Sequence, residues 1–469
     1  MLKKIKFNFI YPGILVILFF IATLSVHAAS SAPSYITLDV TNNSIANCKI
    51  DGSTDDFKSL NKIINYITSS PSAYILLFPY TGKSMVLSDT VNITRGNIIL
   101  KLNCNIQFTK SKYSKEDSMN VFEIGYSRYS RTPIYNVQII GNNIEINGNG
   151  DNLSYIEKSH TKPNYGDIIH LRRVINGSIS GIICNNAVEN GLRVYMCQNI
   201  TVENCEFKNT KLDNGLTVMG LPVYTDDWTY NDETCNNNIA VRNCISHNNK
   251  DVGFSASICR NVLFDTCTSY ENGTSNGFNA GGGFSHECLG FSTYYDQPTT
   301  WNGLTTFYNC KAYNNQNYGI YTDANGTIIN KCIIDGTIQN KNDNYGRSIY
   351  GGNAIYAMSA KGAISIIDTT IKNSDSYAIA YSNSSASIDS ALNIQNISIT
   401  NAAKGIYCLN ATTIIINKAR LTNIPTAPLN FLDGDKKGTI YLKNFTTANI
   451  GKMLIGNANK LIVDNTISY

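Results

Sequence analysis

The sequence predicts an all-β chain wound as a single-stranded parallel β-helix, and three observations carry that prediction. A short β-rich segment ending in cysteine recurs at Ile200–Cys205, Ile239–Cys244, Val262–Cys267, Thr305–Cys310 and Thr327–Cys332. Nine or ten residues after each of the first four cysteines comes a glycine followed by an apolar residue: Gly215-Leu216, Gly253-Phe254, Gly277-Phe278 and Gly319-Ile320. Gly191-Leu192 precedes them, with Ile182 in the cysteine slot. The 469-residue chain is also poor in charge, at 15% Asp, Glu, Lys and Arg against 43% hydrophobic residues. That composition argues against coiled coil and against disorder.

The cysteine spacings are 39, 23, 43 and 22. Two are one coil of 22–23 residues, and the other two are one coil plus an insertion. Fixed periods of this size mean stacked units. Each unit has alternating β-formers broken by Asn and Gly and no helical stretch, so it reads as short strands and turns. Coils stacked at about 4.8 Å give the parallel β-helix. The repeated cysteines then fall at one inward position and form a buried thiol column rather than disulfides. No CxxC pair occurs, so zinc is not indicated. The Asn-rich turns are expected to form hydrogen-bonded ladders.

The elements in order are a leader, a cap, the solenoid and an ending. Residues 1–28 read as a signal peptide, with Lys3, Lys4 and Lys6 before an apolar stretch and Val26-His27-Ala28 as the cleavage pattern. The alternative is an uncleaved membrane anchor. Without those lysines the balance is 35 basic against 34 acidic residues, which excludes a global electrostatic partner such as nucleic acid. Residues 29–90 hold a capping helix: Thr54 is the expected N-cap, and Phe57, Leu60, Ile63, Ile64 and Ile67 mark one apolar face. Residues 91–427 form the solenoid, with long loops at 220–237 and 281–303, and residues 428–469 are final coils or a cap. The expected location is secreted or periplasmic.

The chain resembles the pectin-lyase-like superfamily of right-handed parallel β-helices. The resemblance lies in Asp51-Gly52-Ser53-Thr54-Asp55-Asp56, in Leu77-Phe78-Pro79-Tyr80-Thr81-Gly82-Lys83, and in Ile144-Glu145-Ile146-Asn147-Gly148-Asn149-Gly150. It implies a right-handed coil and, for an exported protein, action on polysaccharide. The central coils resemble lysine-base β-helical pectate lyases through Ser246–Ser255 and Ser275–Gly282. Ser255 and Val252 stand where acids are expected, and Asn279 stands where the lysine base is expected. The resemblance therefore implies an altered Ca²⁺ site, and no cofactor or metal ligand set is assigned.

Long loops on adjacent coils mark a working face. Trp228 and Trp301 fall one in each loop, with Tyr224, Tyr230, Tyr294 and Tyr295, as sugar-stacking candidates; the alternative is that these aromatics pack the loops together. His286 and Glu287 are further loop candidates, as are Asp226 and Asp227.

Residues two after the strand glycine should point outward. With Ile168 in place of the first glycine and Tyr356 and Tyr407 placed by extending the alignment, they read His170, Arg193, Thr217, Ser255, Asn279, Tyr321, Tyr356 and Tyr407, and the next row reads Arg172, Tyr195, Met219, Ser257, Gly281 and Asp323. Tyr321, Tyr356 and Asp323 join the substrate-binding candidates. His170, Arg172, Arg193 and Tyr195 form a local basic cluster suited to β-elimination or C5 chemistry on a uronate polymer. Such chemistry needs a cation for the carboxylate, a base and an acid. The alternative is a salt-bridged structural cluster with Glu189. The row two before each glycine holds Glu189, Asp213, Asp251, Ser275 and Asn317; its carboxylates, about 4.8 Å apart per coil, suit a glycoside hydrolase, and the alternatives are acidic residues that favour turns or Ca²⁺ ligands. The first reading is therefore lyase-type action on an anionic polysaccharide, the alternative is a glycoside hydrolase using the stacked carboxylates, and a third reading is a non-catalytic polysaccharide-binding surface protein.

Overall fold

In the computed structural model the described residues run from 33 to 469, except 111–118, 127–129, 131, 153–165, 221–235, 258, 274–281, 288–304, 323–325, 340–350, 359–361, 383–389, 410, 412, 433–438, 453, 456–459, 465–466 and 469. The chain from Tyr35 onward is a right-handed parallel β-helix. Its strands form two sheets of 25 and 13 strands, and the described ladders are all parallel. A central coil places two strands in the larger sheet and one in the smaller, as in Gln198–Glu203, Glu206–Lys208 and Leu216–Met219. Among the described residues no helix is long and apolar enough to cross a membrane, and residues 1–28, the expected leader, lie outside them.

The corners explain the asparagines. The turn before the cysteine column takes a left-handed residue at Asn204, Asn243, Thr266, Asn309 and Lys331, and the turn after the next strand does so at Asn209, Asn248, Glu271 and Asn314. Asn tolerates that backbone better than most residues. Along a third edge, Asn199, Asn238 and Asn261 pass side-chain hydrogen bonds from coil to coil. The expected amide ladders are therefore present.

Inside, like stacks on like. Cys205, Cys244, Cys267, Cys310 and Cys332 are buried free thiols in one column. Phe254 stacks on Phe284 at 5.1 Å, and Phe264 on Phe307 at 5.4 Å. Asn249, Asn272 and Asn315 form a buried amide column linked at 2.9 and 3.0 Å. The glycine column has a steric cause: a Cβ at Gly191, Gly215, Gly253 or Gly283 would lie 2.5–2.8 Å from the carbonyl oxygen of the next coil's glycine.

That column corrects one expectation. The coil assigned to Gly277-Phe278-Asn279 is built instead on Gly282–Glu287, with Phe284 opposite Phe254 and Ser285 opposite Ser255. Gly283-Phe284-Ser285 repeats the same small–apolar–polar order six residues later. Strand therefore occupies the start of the segment expected to be the 281–303 loop, and His286 and Glu287 sit on it. The strand Tyr377–Ser382 also inserts Ala380 between Tyr356 and Tyr407 in the outward row.

The helix Phe57–Ser69 buries Leu60, Ile63, Ile64 and Ile67, as its periodicity predicts, and packs on the strand Val91–Ile93. Its N-cap is Asp56, not Thr54. Thr54 is held by Asp51, which accepts its N–H and hydroxyl at 2.7 Å each. The buried Asp56 carboxylate accepts the N–H groups of Lys49 and Ile50 instead of capping the helix. Arg95 closes the other end by donating to the carbonyls of Ile67, Ser70 and Ser72. Coil strands already occur at Tyr35–Asp39 and Ala73–Phe78, and the ladder continues to Ile467–Ser468.

Candidate active site

The strands Phe122–Ile124, Ile169–Arg172, Leu192–Tyr195 and Leu216–Met219 are consecutive in the smaller sheet. Ile169, Leu171, Leu192 and Val194 point inward and are fully buried, so alternation turns their neighbours to the other face. Register then sets Glu123, His170, Arg193 and Thr217 in one row and Arg172, Tyr195 and Met219 in the next. The four residues of the expected basic cluster are brought together.

The cluster is not basic. At its centre lies Asp167, which sequence reasoning missed. Its Oδ2 accepts from Arg193 Nε at 2.8 Å and His170 Nδ1 at 2.9 Å, and its Oδ1 accepts from Asn190 Nδ2 at 2.7 Å. Arg193 Nη2 also meets Glu189 Oε2 at 3.1 Å and Asp213 Oδ2 at 3.7 Å. Arg172 faces Glu123 at 3.6 Å and lies over the Tyr195 ring at 5.5 Å. Two guanidiniums thus answer four carboxylates, Glu189 among them.

Asp167 carried a faint signal. The residues just before these strands read Asn120, Asp167, Asn190 and Asn214, a run of amides with one acid in it. Each side-chain oxygen in the column takes the backbone N–H of the next coil's member, from Asp167 on Asn120 to Asn214 on Asn190. A carboxylate fits because it accepts as an amide oxygen does.

These environments divide the acids. Although burial opposes it, Arg193 and His170 hold the Asp167 carboxyl well below the usual range. Burial, followed by the nearby Arg172 and Arg193 charges, lowers His170 despite Asp167. His170 is therefore neutral, donates from Nδ1, and offers Nε2 to Arg172 Nη2 at 3.4 Å. Burial, with Asp167 and Asp213 nearby, pushes Glu189 up to about 8 despite Arg193. Burial likewise raises Asp213, which accepts from Asn190 Nδ2 at 3.3 Å.

Accessibility separates these groups further. His170 is fully buried, and Arg172, Arg193 and Tyr195 are 2–6% exposed. The Glu189 and Asp213 side chains retain 26% and 35% exposure. Their two oxygens flank one arginine nitrogen.

Asp251 lies one coil beyond Asp213 and donates its backbone N–H to the Asp213 carbonyl at 3.3 Å. The neighbouring segment that resembles a calcium loop is committed to structure: Ser246 Oγ donates to the Gly253 carbonyl, and Asn249 belongs to the buried amide column. Among the described residues no His, Cys, Asp or Glu group has metal-holding geometry. Tyr321 and Tyr356, 5.6 Å apart, share the Arg193 row but stand four and five coils along it. His286 and Glu287 take the register positions of Ala256 and Ser257 on a strand, a correction of their expected loop setting. Trp228, Trp301, Tyr224, Tyr230, Tyr294, Tyr295 and Asp323 lie outside the described residues.

This architecture is a right-handed parallel β-helix. No protein-family model and no curated protein matches the chain. It is similar to the A-module of the Azotobacter vinelandii mannuronan C-5 epimerase AlgE6, at 12% identity and a TM-score of 0.55, over 93% of this chain and 99% of that one. It is also similar to PfbA, a surface adhesin of Streptococcus pneumoniae, at 12% identity and a TM-score of 0.53, over 92% and 90% of the two chains. Both likenesses concern the fold.

Proposed function

We propose that this chain is an exported polysaccharide-acting enzyme that cleaves glycosidic bonds with Glu189 and Asp213. The observation that carries the reading is the pair itself: two partly exposed carboxylates on successive coils, both within reach of Arg193 Nη2. Their oxygens are no further apart than their 3.1 and 3.7 Å distances to that nitrogen combined, a limit that admits the spacing of about 5–5.5 Å used by a retaining pair. Glu189, pushed up to about 8, keeps its proton at neutral pH and serves as the acid to the leaving oxygen. Asp213, held by Asn190 and Arg193, serves as its carboxylate partner. Asp167 fixes Arg193 beneath them and takes no direct part.

Elimination on a uronate polymer is the second reading. It is favoured by the Asp167–His170 pair, which orients His170 Nε2 beside Arg172 and Tyr195. Its weakness is that Arg193 is already answered by three carboxylates. The test is incubation of the protein with neutral and uronate polysaccharides while reducing ends and ultraviolet absorbance are followed together. New reducing ends without absorbance, lost about 10²–10⁴-fold in Glu189→Gln, support hydrolysis. Absorbing product that survives in Glu189→Gln and disappears in His170→Ala supports elimination. Silence in both channels sinks both readings and leaves a binding protein.

A further inference from the structure

We infer that the glycan taken by this face is neutral rather than uronate-bearing. The inference rests on the reading of Glu189 and Asp213 as the working pair, and adds the substrate class. The first ground is charge. Four carboxyl groups, those of Glu123, Asp167, Glu189 and Asp213, stand against the two guanidiniums of Arg172 and Arg193. A polymer bearing a carboxylate on each sugar would bring further negative charge to a face that already has more than its cations answer.

The second ground is the floor beyond the pair. From Arg193 the outward row continues as Thr217, Ser255 and Ser285 before Tyr321 restores a bulky side chain. Four coil steps span about 19 Å at about 4.8 Å each, the length of a few sugar units. The strands that carry this floor, Leu216–Met219, Phe254–Ser257 and Gly282–Glu287, contain no lysine or arginine.

The third ground is an unanswered hydroxyl. Ser257 is 6% exposed on the outward side, between the register positions of Met219 and Glu287, and its Oγ has no hydrogen-bond partner. A buried hydroxyl is ordinarily paired. A sugar hydroxyl is both donor and acceptor, and would complete Ser257 without bringing charge.

The experiment uses Glu189→Gln to hold substrate without turnover, with Asp213→Asn in parallel in case one variant misfolds. Each is titrated with neutral glucans, galactans and mannans, and with polygalacturonate and alginate, at low and high salt. The expected result is binding of at least one neutral polymer, insensitive to salt. Ser257→Ala in the same background should weaken that binding about three- to tenfold with an unchanged thermal midpoint. Salt-sensitive preference for a polyuronate, or no binding of any neutral polymer, overturns the inference. A neutral polymer bound by the variants but not cleaved by the wild-type protein sinks the hydrolytic reading and leaves the substrate class standing.

Discussion

The column Cys205–Cys332 and the row Glu123–His170–Arg193–Thr217 belong to one solenoid and share its coil spacing, one facing the interior and the other the outer face. Inside, identity is favourable: a thiol meets a thiol, and Phe264 meets Phe307 face to face at 5.4 Å. Outside, identity is costly wherever residues are charged, because like charges one coil apart repel. Unlike groups therefore alternate, with Glu123 beside His170 and Arg172, then Arg193 among Asp167, Glu189 and Asp213. A repeat that propagates by copying in its core can propagate at its site only by pairing opposites. A surplus of one sign has to be stored as a proton, and the raised Glu189 stores it.

Removing the centre of the outer row should be the most damaging change. Asp167→Ala leaves Arg193 and His170 without their buried partner and should cost about 3–5 kcal/mol in denaturant unfolding. Asp167→Asn keeps the amide column but not the charge, and should recover part of that loss. Phe264→Ala, breaking the inner column, should cost a similar 3–5 kcal/mol. If Asp167→Ala is far milder than Phe264→Ala, the outer row is surface decoration and the contrast fails.

The stored proton gives a prediction with a sign. Glu189 rises from its ordinary 4.5 to about 8, so protonation favours the folded state. Its contribution is complete below about 4.5 and is lost as pH rises through about 8. Asp167, held low, acts oppositely, and its contribution is lost only as pH falls through its depressed value. Thermal midpoints should thus decline on the alkaline side, and Glu189→Gln should flatten that decline. The kcat/KM of the wild-type protein should fall with a midpoint near the same pH.

Smaller effects sharpen the inner side of the comparison. Cys267→Val adds bulk to a close-packed column and should cost about 1–3 kcal/mol, read as a shift in the urea midpoint. Asn238 holds a φ of 57° at an exposed corner, so Asn238→Ala should cost about 1 kcal/mol and Asn238→Gly less. Equal losses in both variants would assign the cost to the side-chain ladder rather than to the backbone.

Much of this was legible because the repeat is written in small residues. The glycines mark where a Cβ would strike the next coil, the cysteines mark one inward slot, and the asparagines mark left-handed corners. The same cue misled at Gly277, because Gly283-Phe284-Ser285 offers the same pattern and local spacing does not choose between two copies. At the site, alternation aligned His170 with Arg193 and Arg172 with Tyr195. It also placed Glu189 and Asp213 on successive coils. It said nothing of Asp167, which stands in an amide column and reaches Arg193 across a gap of 26 residues.

The sequence by itself determined the coil, its inward columns and which residues share an outer row, since these follow from periodicities of two and about twenty-two that a chain cannot conceal. The sign of the site was decided by tertiary structure alone. Composition counts His170, Arg172 and Arg193 as a basic cluster. Only the folded coil brings Glu123, Asp167, Glu189 and Asp213 to within 4 Å of Arg172 or Arg193. Electrostatic energy depends on distance and burial, and neither is written in the order of residues.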